Sequence, residues 1–171
     1  VSRSTLARLA VYNPSLMTKA SCLYNCVEPS SIAASESLPE LAQRNFILTI
    51  AQHRRNKNLP LTLRVFERLL ARDPNLLLCL IGREGPETAS LSRQIASSAL
   101  APHIVMLDGI SDQQLQRCYR HARLLLACST TEGFGLPIAE AMLAGCPIAC
   151  SDIAAHRELG EGYAHFAPLD A

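Results

Sequence analysis

From Asn45 onward the chain alternates between short apolar runs of strand type and apolar residues at helical steps, and no other feature constrains its fold as much. A strand that is apolar along its whole length needs cover on both faces, and helices between successive strands supply that cover. The predicted strands are residues 46–51, 76–81, 103–107, 123–128 and 147–150. Between the first two, Leu61, Val65, Phe66, Leu69 and Leu70 recur at three- and four-residue steps until Asp73-Pro74 stops the helix. Further helices are predicted over 87–99, 112–121, 137–144 and 153–159, the second of them opened by a capping box of Ser111 and Gln114. Some six β-α alternations in about 125 residues predict an α/β fold: a doubly wound, mostly parallel sheet with helices on both faces. Such sheets bind ligands beyond the carboxyl ends of their strands, so function is sought in the loops that follow them.

The first 45 residues have a different texture. Residues 2–11 read as a short helix with Leu6, Leu9 and Ala10 on one side, 20–24 as a short strand, and 28–37, rich in Pro, Ser and Glu, as a linker. A linker so near the start leads us to expect that the sequence begins partway through a larger protein. Sixteen Lys and Arg against fifteen Asp and Glu leave a net charge of +1, without the basic excess that tracking nucleic acid requires. The longest strictly apolar run is residues 76–81, against about 20 for a membrane span. Seven cysteines without a Cys-x-x-Cys pair point away from zinc and redox work and toward a reducing cytoplasm. With 49% apolar residues and a mean hydropathy of +0.13, the chain has enough for a packed core.

The densest loop is Ser129-Thr130-Thr131-Glu132-Gly133-Phe134-Gly135-Leu136-Pro137, between a strand and a helix that Pro137 is expected to open at its first position. Two glycines at alternate positions let the backbone approach a ligand, and free N–H groups at a helix start suit an anion. An ordinary strand-to-helix turn would look the same. Glu132 in the loop and Glu140, expected in the first turn of the helix, shift the balance, because carboxylates accept hydrogen bonds from the hydroxyls of sugar or ribose. Two of them flanking a phosphate cradle match the layout of a nucleotide sugar. The bland alternative makes Glu140 a favourable charge on the helix dipole and Glu132 a solvated loop acid.

Glu132-Gly-Phe-Gly-Leu-Pro-Ile-Ala-Glu140, followed by Ala141-Met-Leu-Ala-Gly-Cys-Pro147, resembles the Glu-x7-Glu signature of the retaining family-four glycosyltransferases of GT-B fold, with similarity running from Phe46 to Asp170. The resemblance implies that Glu132 touches the donor sugar's hydroxyls and that backbone groups of Gly133, Phe134, Gly135 and Leu136 meet sugar or phosphate. It further implies that Glu140 holds the ribose diol. Lys57, followed by Asn58, matches the family's basic residue that neutralises the departing diphosphate. The family often has an Arg five or six residues before that Lys, where this chain has Ala51 and Gln52, so Arg54 or Arg55 is expected to supply the second charge. Gly82-Arg83 and Gly109-Ile110 resemble loops near the nucleotide, with Gly82 and Ile110 as candidate contacts, each also readable as a plain turn. His156 and Glu158 are read as structural, His53 as a polar loop histidine or, near the candidate phosphate loop, a phosphate ligand, and Cys146 and Cys150 as small core residues.

By this resemblance residues 1–27 are the tail of an amino-terminal acceptor domain that the chain otherwise lacks, 28–45 a linker, and 46–171 a donor-binding domain ending before its last helix. The implied reaction is retaining glycosyl transfer from a nucleoside-diphosphate sugar to a glycan or lipid-linked acceptor, in polysaccharide biosynthesis, with neither metal nor cofactor. The chain alone is expected to turn over nothing. The implied setting is the cytoplasm at the inner face of the membrane, with peripheral membrane contact in the longer protein and no nucleic acid. Three other readings share the architecture: a nucleotide-sugar epimerase, a glycan phosphorylase and a non-catalytic nucleotide-binding module. A phosphorylase holds pyridoxal phosphate on a lysine, and Lys19 and Lys57 are the only two lysines present, which argues against it.

Overall fold

The computed structural model describes residues 2–28 and 38–169. The linker predicted over 28–37 therefore lies, apart from Glu28, outside the described residues, as does Asp170. Six strands, β1 (Phe46–Ile50), β2 (Leu77–Ile81), β3 (Ile104–Leu107), β4 (Leu124–Ala127), β5 (Ile148–Ser151) and β6 (His165–Ala167), form one sheet. Its order is β3-β2-β1-β4-β5-β6, and every neighbouring pair is parallel. The helices are α1 (Arg3–Tyr12), α2 (Leu59–Leu70), α3 (Thr88–Ala96), α4 (Asp112–His121), α5 (Leu136–Ala144) and α6 (Ala154–Gly160).

Successive residues of a strand face opposite sides, so β1 feeds two cores at once. Ile47 joins Leu78, Leu80 and Leu126 beneath Leu61, Leu63 and Phe66 of α2 and Leu91 and Ile95 of α3. Leu48 joins Cys79, Leu125 and Ile148 beneath Cys118 and Tyr119 of α4 and Ile138 and Ala141 of α5. Both faces being covered explains why these strands are apolar throughout.

Strand order decides where function can sit. The chain builds outward in one direction through β2 and β3, then returns to the other side of β1 for β4, and a crevice opens where the direction reverses. The loops after β1 and β4 are therefore neighbours, although their residues are some seventy positions apart.

One predicted element is absent, and one observed strand was not predicted. Residues 20–24 form no strand. The sheet's edges are β3 and β6, and this segment is held by side chains instead: Tyr24 lies 5.8 Å, ring centre to ring centre, from Phe134. Conversely β6, with register Cys150↔Phe166, was hidden because three residues with one large apolar side chain carry no readable period. The helix predicted over 2–11 is α1, with Leu6, Leu9 and Ala10 half-buried, and it packs on α6.

Candidate donor-binding site

The loop after β1 makes one 3-10 turn, Arg55–Lys57, and Asn58 then takes a left-handed conformation at φ 50° to start α2. Asn56 sews this loop to the one after β4. Its carbonyl accepts from the Thr130 amide at 2.8 Å, and its side-chain amide donates to the Thr131 carbonyl at 3.1 Å. The turn thereby delivers the Lys57 ammonium to Glu132, with Nζ to Oε1 at 2.6 Å. Ser129 Oγ donates to the same oxygen, also at 2.6 Å. Only 19% of the lysine side chain and 13% of the glutamate's are exposed, so this is a largely desolvated ion pair.

Behind the pair lies a cavity of about 10 Å³, enough for about one water, with Thr49, Gly135 and His156 among its walls. His156 is 1% exposed, and its Nδ1 lies 3.1 Å from Ser151 Oγ and 3.0 Å from the Ser151 carbonyl. Burial pushes its basicity below the ordinary imidazole range, more than the Ser151 carbonyl and Glu132 restore it. The structural reading of His156 fits this geometry. In front, Glu132 opens onto a hollow of about 410 Å³ lined also by Ser4, Arg8, Thr131, Ile153 and Ala154.

Gly135 caps α5 at φ 102°, a conformation that costs glycine little. Leu136, not Pro137, is the first helical residue; the proline follows it. No acceptor within the described residues meets the amides of Phe134, Gly135 or Leu136, so three N–H groups remain open at the helix entry. The opposite edge of this loop is fully engaged. The Gly133 carbonyl accepts from the Ser2 amide at 3.2 Å, Ser2 Oγ at 2.6 Å and Thr5 Oγ1 at 2.8 Å, and Arg8 donates to Thr131 Oγ1 at 2.6 Å. Glu158 anchors the helix that supplies these donors, accepting from the amides of Arg3 and Ser4 at 2.6 and 2.9 Å and from the Tyr24 hydroxyl at 2.7 Å.

Glu140 stands in the second turn of α5, not the first, since the helix begins at Leu136. Its Oε2 accepts from the Tyr119 hydroxyl at 2.6 Å. Burial raises its affinity for a proton, Tyr119 works against that, and Asp112 adds to it. Glu132 and Glu140 thus have separate partners, Lys57 and Ser129 for the one and Tyr119 for the other.

Arg54 and Arg55 are exposed and line a different hollow, between the start of α2 and α3, whose walls include neither Lys57 nor Glu132. Gly82 is needed for close packing: a Cβ there would sit 1.9 Å from the Ala51 carbonyl oxygen. Ile110 is half-buried against the core and follows Gly109, which turns at φ 65°. Sequence reasoning missed Asn56, Ser129 and Tyr119. The first two flank the chosen residues in sequence; Tyr119 carried no local signal.

The glycosyl transferases group 1 family matches residues 31–163. The chain is 36% identical over 99 residues to a GDP-mannose:cellobiosyl-diphosphopolyprenol alpha-mannosyltransferase of Xanthomonas campestris, covering 57% of this chain and 26% of that protein. It is 31% identical over 161 residues to the O-antigen chain mannosyltransferase B of Escherichia coli, covering 89% and 41% respectively. The chain thus spans well under half of these relatives. In fold it is similar to the C-terminal domain of the group 1 glycosyl transferase LpcC of Francisella tularensis, with TM-score 0.63 and 19% identity over 75% of this chain and 71% of that one. The architecture is therefore the Rossmann-like carboxyl-terminal half of a GT-B fold.

Proposed function

Because the chain belongs to the glycosyl transferases group 1 family, we propose that it is the donor site of a retaining hexosyltransferase that draws mannose from GDP-mannose for a growing polysaccharide. The observation that carries this reading is the Lys57–Glu132 pair at the sheet's reversal point, beside three amides at the α5 entry that find no acceptor among the described residues. The diphosphate rests on the amides of Phe134, Gly135 and Leu136. As the bond from sugar to diphosphate breaks, charge builds on the departing phosphate, and Lys57 stabilises it by turning from Glu132 to the leaving oxygen. Glu132, released from the lysine, accepts hydrogen bonds from the sugar's hydroxyls, and Glu140 accepts from the ribose diol. In this reading Arg54 and Arg55 stand apart, as the hollow they line suggests. The two relatives' names support the choice of GDP-mannose and of a lipid-linked or glycan acceptor. Because the chain spans only part of those relatives, we assign the acceptor site to residues beyond it, with the work done at the cytoplasmic face of the membrane. Among the described residues no helix is long and apolar enough to cross a membrane.

Calorimetric titration with GDP, UDP and ADP tests this. Heat with GDP that disappears in Glu140→Ala is expected, and silence with all three nucleotides overturns the proposal. Lys57→Ala is expected to weaken GDP far more than guanosine; equal losses would remove its role.

A further inference from the structure

Tyr119 is fully buried at the α4–α5 contact, and among the described residues Glu140 is the one side chain its hydroxyl bonds to. A buried hydroxyl needs a partner, and burying a carboxylate for that purpose alone is expensive. The cost is tolerable if the carboxylate has work of its own. Glu140 has no cation beside it among the described residues: the titratable groups that act on it are Tyr119 and Asp112, both from α4. Those acting on Tyr119 are Glu140, Cys146 and Cys118. Tyr119 is thus the one neighbour that favours the ionised form of Glu140, against burial and Asp112. It occupies Oε2, while Oε1 takes no hydrogen bond from the described residues and is not sealed in the interior.

We propose that Tyr119 is a positioning residue for the donor site, fixing Glu140 through Oε2 so that Oε1 is presented, charged and oriented, to a vicinal diol of the ligand. This rests on the reading of Glu140 as the ribose-diol acceptor. Without Tyr119 the carboxylate turns and takes up a proton more readily. A protonated carboxyl loses its charge and turns one of its two acceptor oxygens into a donor, a poorer match for a diol that donates from both hydroxyls.

The test uses the 171-residue chain, GDP and 2′,3′-dideoxy-GDP, whose ratio of affinities reports the diol contact alone. Tyr119→Phe keeps the ring and removes only the hydroxyl. It is expected to lower that ratio on the order of ten- to a hundredfold, the worth of a hydrogen bond to a charged group. It is also expected to move the acid limb of GDP binding to higher pH, because Glu140 binds GDP only when ionised and now protonates earlier. In the Glu140→Gln background the same change is expected to add nothing. If Glu140→Gln itself leaves the ratio untouched, the assignment of Glu140 fails. If Glu140→Gln collapses the ratio but Tyr119→Phe leaves ratio and pH limb unchanged, or weakens both nucleotides equally, the positioning role alone is overturned.

Discussion

Replacing Glu132 with Gln is expected to tighten the binding of bare GDP, although it removes a residue assigned to the donor site. At 2.6 Å the charges of Lys57 and Glu132 attract by about 6 kcal/mol at an effective dielectric of about 20. Withdrawing both from water cancels most of that, because the side chains keep only 19% and 13% of their exposure. A net of about 1–3 kcal/mol remains, typical of a hydrogen bond between charged groups. A diphosphate without a sugar must overcome this pairing to reach the ammonium. Glu132→Gln removes the competing charge and keeps the shape, so the affinity for GDP is expected to rise about fivefold or more. GDP-mannose gains less, because its hydroxyls lose a charged acceptor. Calorimetry on both ligands reads the split, and a double-mutant cycle in urea with Lys57→Met reads the pair directly, with an expected coupling of about 1–3 kcal/mol. A coupling below about 0.5 kcal/mol, or GDP binding that weakens in Glu132→Gln, would refute the reasoning.

Gly82→Ala drives a methyl to 1.9 Å from the Ala51 carbonyl oxygen, so the backbone must part at the ends of β1 and β2. A loss of about 3 kcal/mol is expected, seen as a fall in Tm of roughly 6–12 °C. Burial lowers the proton affinity of His156 in the folded chain, so the unfolded chain binds the extra proton and stability falls as pH drops below about 6.5. Unfolding free energies should therefore slope less steeply there in His156→Gln, and identical slopes would exclude His156 as the source. Burial works to raise the proton affinity of Glu158, but hydrogen bonds from Tyr24, Arg3 and Ser4 outweigh it and hold the carboxyl below its ordinary range. Glu158→Ala is expected to release residues 2–28 to limited proteolysis while the Tm of the sheet domain stays within a few degrees.

What could be read from sequence was whatever is decided locally. The helix over 112–121 was located to the residue because Ser111 and Gln114 close a capping box that needs nothing else in the molecule. The segment 20–24 misled because a strand exists only by pairing, and it pairs with neither edge strand, β3 nor β6. Lys57 and Glu132 were legible as candidates, each in its own loop, but their meeting depends on β1 lying beside β4, which periodicity cannot tell. Consecutive residues of a 3-10 turn point in different directions, so no spacing argument could separate Arg54 and Arg55 from Lys57. Tyr119 and Glu140 are 21 positions apart on different helices, and only the packing of α4 on α5 makes them a pair.

A trans peptide unit aims its oxygen and its hydrogen in opposite directions, and no cis bond occurs among the described residues. With Ser2 and Thr5 gripping the oxygen of residue 133, the hydrogen of residue 134 is obliged to point the other way, toward the entry of α5. The polarity of the proposed phosphate cradle is therefore written more than a hundred positions upstream, in two small hydroxyl side chains. Unlatching that first helix would let the peptide plane flip and set a carbonyl where an anion expects a donor.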